Sequence, residues 1–299
     1  ALVAVAALLT ACAPSGPKAL LRGEQLIREG RPLEAIPKLE TAVQLLPESA
    51  PAWNFLGLAN HHARRVEPAI AAYQKAIARD RNYFVTYYNL GSLYYEQGNW
   101  AGAADALTTY TLIRPQPVEG WLKLGLAQFR ARQFDLADRS LREAVNRNRK
   151  LPEALNALGV IEIQRRRPRE AYNYFNAAVN AERNYPPALL NVAITAQQYL
   201  NQKPFALQVY RAYLALQPVP ANAAAVHVVA QQLEWELNPQ LRPVPANTNV
   251  ARVPVVPTNQ APAAITAAPP ARVLPQPAPA TATNPPAVVS TPTNKPSLA

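Results

Sequence analysis

The sequence predicts an all-α solenoid of about six stacked helix pairs, closed by a C-terminal capping helix and followed by a disordered Pro/Ala-rich tail. Three observations carry that prediction. Glycines at 23, 57, 91, 125 and 159 recur every 34 residues, and a fixed period of this length marks a stacked repeat. Twelve residues after each glycine stands an alanine, at 35, 69, 103, 137 and 171. The third observation is a change of composition near residue 238. Of the 31 prolines, 15 lie in the last 61 residues, whereas all 19 acidic residues, all four Trp and all 13 Tyr lie before them. Only the first 238 residues hold the apolar mass of a core.

From the N-terminus, residues 1–11 form an uncharged apolar run that stops at Cys12 and is followed by Ala13-Pro14-Ser15-Gly16-Pro17. Eleven residues are too few to span a bilayer, but they fit the apolar stretch of a secretory signal with small residues before a processing point. The run Leu9-Thr10-Ala11-Cys12 resembles the bacterial lipoprotein box. That resemblance implies that residues 1–11 are the remnant of a signal peptide, that Cys12 is the lipidated first residue of the mature protein and that residues 12–17 are a linker. It further implies a body in the cell envelope, and Ala13 after the cysteine fits the outer membrane, facing the periplasm. The alternative for Cys12 is an ordinary free thiol at a frayed terminus.

The repeat units fall near residues 16–49, 50–83, 84–117, 118–151, 152–185 and 186–219, so the solenoid covers 18–218. Around the glycines the pattern reads Trp53-x-x-Leu56-Gly57, Tyr87-x-x-Leu90-Gly91, Trp121-x-x-Leu124-Gly125 and Leu155-x-x-Leu158-Gly159. Positions 4, 7, 8 and 11 of a unit make one stripe of a first helix, A, and positions 20, 24 and 27 make one stripe of a second, B. Position 24 holds Leu39, Tyr73, Leu107, Leu141 and Phe175. A glycine costs about 1 kcal/mol in a helix interior relative to alanine, so its recurrence at one phase implies close packing of A on B. The sixth unit carries Ala193 in the glycine's place, and its Ala206 and Tyr210 arrive one residue late, which predicts a longer turn around Lys203-Pro204. Residues 220–237 read as the capping helix that the open end of a solenoid needs. Residues 238–299, with four basic and no acidic residues, read as extended, disordered chain.

In residue type and spacing this pattern resembles the tetratricopeptide repeat over residues 16–185, with a looser sixth copy to 218. The resemblance implies a right-handed superhelical solenoid that binds a peptide or protein in its concave groove, lined by positions 2, 5, 9, 12 and 13 of each helix A. Those positions supply Asn54, His61, Tyr88, Ser92, Tyr95, Phe129, Arg130 and Asn156 as candidate groove residues. Aromatic rings mixed with amides suit a peptide, the amides pairing with its backbone, although Leu58, Leu126, Val160 and Ile194 on the same stripe suit packing equally. The family's clamp for a C-terminal carboxylate needs Lys and Asn where this chain has Leu20 and Glu24, which disfavours a chaperone-tail adaptor.

Basic residues gather at the A–B turns: Arg64, Arg65, Arg132, Arg165, Arg166 and Arg167 form a possible basic edge. It reads either as a solvated turn or as a contact for acidic lipid or protein, consistent with a net charge of +11. Nucleic acid is excluded for an exported protein. One cysteine and three histidines, none at ligand spacing, predict no metal site, no cofactor, no small-molecule substrate and no enzymatic activity. The expected function is a non-catalytic, lipid-anchored scaffold that binds a protein segment, in assembly of an envelope, secretion or pilus machine. The alternative is an accessory subunit of a cell-wall or other envelope enzyme.

Overall fold

The computed structural model describes residues 15–242. Cys12 and the chain beyond 242, on which the expectations of a lipid anchor and a disordered tail rest, lie outside those residues. The described chain is all-helical, in thirteen α-helices and one short 3₁₀ turn, with no strand among the described residues. The helices are α1 (Gly16–Arg28), α2 (Pro32–Leu45), α3 (Ala50–His62), α4 (Val66–Arg79), α5 (Phe84–Glu96), α6 (Trp100–Ile113) and α7 (Val118–Arg130). Then come α8 (Phe134–Arg147), α9 (Pro152–Gln164), α10 (Pro168–Ala181), α11 (Pro186–Gln198), α12 (Lys203–Leu214) and α13 (Ala223–Leu237). Odd-numbered helices from α1 to α11 are the A helices, even-numbered ones the B helices. Each packs on its sequence neighbours, which makes a tetratricopeptide-type solenoid of six helix pairs. The backbones of successive A helices approach one another closely, whereas those of successive B helices stand further apart and meet through long side chains, as Arg142 of α8 does with Tyr174 of α10. The A layer therefore forms the inner, concave side of the stack.

In the first five pairs the periodic glycine leaves room for a partner side chain of helix B that any Cβ would strike. A Cβ at Gly57 would lie 2.5 Å from the Tyr73 ring, and one at Gly159 would lie 2.4 Å from the Phe175 ring. Gly23, Gly91 and Gly125 meet Leu39, Leu107 and Leu141 in the same way, always the residue sixteen places later. These five partners are all buried and form the spine of the core. In the sixth unit the A–B turn, Tyr199–Gln202, is one residue longer than the three-residue turns of the other units, and Ala193 packs near Tyr210. Lys203 and Pro204 belong to the first turn of α12 rather than to the loop, as suits a residue that has no N–H to offer. Val226, Ala230 and Leu233 of α13 close this end against Leu207, Tyr210 and Tyr213.

The first five A–B turns share one backbone solution. In the first turn Gly30 N–H bonds to the Ile27 carbonyl and Arg31 N–H to the Leu26 carbonyl, the double bond pattern that ends a helix on a left-handed residue. The same pair of bonds recurs at 64/65, 98/99, 132/133 and 166/167. Residues 30, 64, 98, 132 and 166 accordingly have φ of 73°, 61°, 75°, 62° and 59°. Two of them are glycines and three are arginines, for which a left-handed backbone costs about 1 kcal/mol or more.

Candidate functional site

The eight groove candidates divide by burial. Asn54 is fully buried, and its Oδ1 accepts from Asn89 Nδ2 at 3.0 Å, tying α3 to α5. Asn156 repeats that link between α9 and α11, accepting from Asn191 Nδ2 at 2.8 Å. His61 is buried, its Nε2 3.1 Å from Glu96 Oε2, and this bond is the main cause that holds the Glu96 carboxyl below its ordinary value. The adjacent His62 is pushed down by burial and by the neighbouring His61. Ser92, also buried, donates to the Tyr88 carbonyl at 2.7 Å and accepts from Lys123 Nζ at 2.9 Å. These four side chains therefore bond the A layer together from one helix to the next.

Tyr88, Tyr95, Phe129 and Arg130 remain half-buried on the same layer. The Tyr88 ring lies 5.1 Å from the Tyr110 ring and 4.8 Å from Lys123 Nζ. Burial, with Tyr110 and Glu119 nearby, pushes its phenol up to about 12, so it stays a hydroxyl donor at neutral pH. Burial lowers the Lys123 ammonium from its ordinary value, and Glu96 opposes that shift. Tyr95 meets Trp100 edge-on at 5.0 Å, Arg130 lies over the same indole at 5.5 Å, and Phe129 tilts on Phe134 at 5.9 Å. The rings thus stand on a rigid floor of B-helix aromatics, which fixes their directions before any ligand arrives. Asn54 Nδ2, His61 Nδ1 and Arg130 Nε are buried and without a hydrogen-bond partner among the described residues.

Position 6 of helix A was not among the candidates, yet it supplies Asn89, Lys123 and Asn191, the donors of three of these links. A sequence signal for them exists: a polar residue recurs at one phase in the middle of otherwise apolar helices. At the basic edge the arginines also divide. Arg165 bonds to Asp135, Asp138 and Glu162 at 2.8, 3.2 and 3.1 Å, and Arg167 lies 3.6 Å from Glu162. Arg64 lies 3.9 Å from Glu96 with its side chain 84% exposed, while Arg65, Arg132 and Arg166 are exposed and make no ion pair among the described residues. Among the described residues no group of three His, Cys, Asp or Glu could hold a metal ion, and no helix is long and apolar enough to cross a membrane.

A sequence model of the tetratricopeptide repeat matches residues 20–83 and 122–188, and a second tetratricopeptide model matches 72–104. Together they cover just over half of the 299 residues. No curated protein matches the sequence. Among solved structures the fold is similar to that of pilF from Pseudomonas aeruginosa, at 18% identity over 72% of this chain and 97% of that one, TM-score 0.59. It is similar to the C-terminal part of a TPR repeat-containing protein from Cytophaga hutchinsonii, at 18% over 73% and 90%, TM-score 0.59. YrrB, a TPR protein with an unusual peptide-binding site, aligns at 21% over 65% and 97%, TM-score 0.56. At such identities the likeness is one of fold.

Proposed function

The chain belongs to the tetratricopeptide repeat family, and from that premise we propose that it is a non-catalytic scaffold, lipid-anchored in a bacterial envelope, that holds a peptide segment of a protein partner on its A-helix layer. The observation that carries this reading is the division of that layer. The packing stripe and the buried amide links complete the fold, and Tyr88, Tyr95, Phe129 and Arg130 are left over as half-exposed, pre-set rings and charge. Aromatic residues and arginine are the side chains that most often dominate an interface. Unmet polar capacity at Arg130 Nε, on one of these half-exposed side chains, supports the same reading, since buried polar atoms ordinarily have a partner. Peptide binding by a fold of this kind is exemplified by YrrB.

A photo-reactive phenylalanine placed at Phe129 or Tyr95 tests the groove without deleting an aromatic ring. Adducts in native cells are expected at 95 and 129 and not at Leu112, which is 76% exposed on the B helix α6. Adducts at 112 with none at 129 would sink the assignment.

The anchor rests on the apolar run and on Cys12 directly after it. Acylation there by more than one chain gives stable membrane attachment, at about 0.8 kcal/mol per buried methylene. Cys12→Ser is expected to abolish lipid labelling and to move the protein out of the detergent phase; unchanged partitioning would rule the anchor out. An outer-membrane address facing the periplasm follows from the same proposal, through Ala13.

A further inference from the structure

We propose that the edge formed by the A–B turns is a second docking surface, which takes an acidic polypeptide segment through the guanidinium groups of Arg64, Arg65, Arg132 and Arg166. Five turns use the same left-handed residue, and at 30 and 98 that residue is glycine, the side chain such a site favours. At 64, 132 and 166 it is arginine, which is neither small nor self-capping. In three turns, then, a long cationic side chain stands on the edge where glycine would serve the backbone at lower strain.

The fold does not consume these charges. Arg31, Arg165 and Arg167 on the same edge are tied to carboxylates, whereas Arg65, Arg132 and Arg166 are exposed with no ion pair among the described residues, and Arg64 only approaches Glu96. Packed helices stand roughly 10 Å apart, so the free arginines are strung along a line rather than gathered in a pocket. An extended chain, at about 3.3 Å per residue, can lay carboxylates along that line, and the guanidinium fork matches a carboxylate in two parallel bonds.

A polypeptide is favoured over a membrane by the direction of α1. The chain enters that helix at Gly16 and reaches the first A–B turn after Arg28, about 20 Å further on. Antiparallel pairing then sets every A–B turn on the edge away from the entry. A lipid on Cys12 would hold the entry edge to the bilayer, so this choice of partner rests on the anchor proposed above.

The test uses the full chain in detergent and fluorescent poly-L-glutamate as the probe, read by anisotropy at low and physiological salt. The variant Arg64→Gly/Arg132→Gly/Arg166→Gly removes three charges and installs the residue the turn favours, so its melting temperature should hold or rise. Binding of poly-L-glutamate is expected to weaken at least tenfold in this variant and to keep its strength in Tyr95→Ala/Phe129→Ala and in Cys12→Ser, which separates this edge from the groove and from the anchor. No binding by the unaltered chain at low salt, or equal binding by the triple variant, overturns the proposal. Binding of phosphatidylglycerol vesicles that the triple variant loses, without poly-L-glutamate binding, overturns it in favour of a membrane contact.

Discussion

Gly57→Leu is expected to lower stability by about 3 kcal/mol, at the upper end of the overpacking range. A single Cβ at 57 would already stand 2.5 Å from Tyr73 Cδ1 and 2.6 Å from Cε1. The ring cannot yield easily: Tyr73 is fully buried, and Leu90 and Leu93 of the next unit wall it in. Gly57→Ala should therefore also lose stability, even though alanine favours a helix by about 1 kcal/mol over glycine. Leucine adds three more carbons in the same direction and has to part α3 from α4. At 91 the obstacle is Leu107 Cγ, at 2.7 Å, in an aliphatic chain that can change rotamer, so Gly91→Leu should lose less. The measurement is thermal and urea unfolding. For a body of this size about 3 kcal/mol corresponds to a melting shift of roughly 6–12 °C, and equal melting of Gly57→Leu and the unaltered chain would contradict the close-approach role.

The solenoid was legible because its cause is periodic. A close contact that every unit needs leaves a glycine at every unit, and the glycine and its partner sixteen residues on can be read without knowing what touches what. The candidate site was legible only in outline. The stripe of positions 5, 9, 12 and 13 lies on the A helices, but periodicity alone gives no way to tell that Asn54 and Asn156 accept from Asn89 and Asn191 while Tyr95 and Phe129 stay half-exposed. That division depends on the next unit, one residue out of phase, where position 6 meets position 5 of its predecessor. Arginines at one phase of the turn were visible too. Their division into paired and free depends on whether an aspartate or glutamate lies on a neighbouring helix, as Asp135, Asp138 and Glu162 do for Arg165.

Glu162 is the sharpest case of a residue whose role the pattern hides, and Glu162→Ala is expected to cost about 3 kcal/mol. The residue occupies position 11 of helix A, on the packing stripe, where other units have Leu26, Asn60, Tyr94, Gln128 and Ala196, none of them charged. Its side chain is 3% exposed. Arg165 lies 3.1 Å away, Arg142 3.5 Å and Arg167 3.6 Å, while Asp138 takes up the remaining reach of Arg142 and Arg165. This one carboxylate thus gathers guanidinium groups from α8, from the end of α9 and from the turn before α10, and pins units four and five together. Removing one partner of a buried pair typically costs 3–5 kcal/mol, because the charges left behind have lost their counter-ion. Here the arginines are 28–60% exposed and can turn toward water, which sets the expectation at the low end. Glu162→Gln keeps the shape and removes the charge, so it should recover packing but little of the loss. Because the carboxylate is buried, the effect should persist in high salt, where exposed pairs fade. Amide hydrogen exchange is the decisive measurement in a stack whose units contact only their neighbours. Protection should fall first in α8–α10 and leave α3–α5 close to normal; uniform loss across all units, or none, would show that Glu162 does not hold this junction.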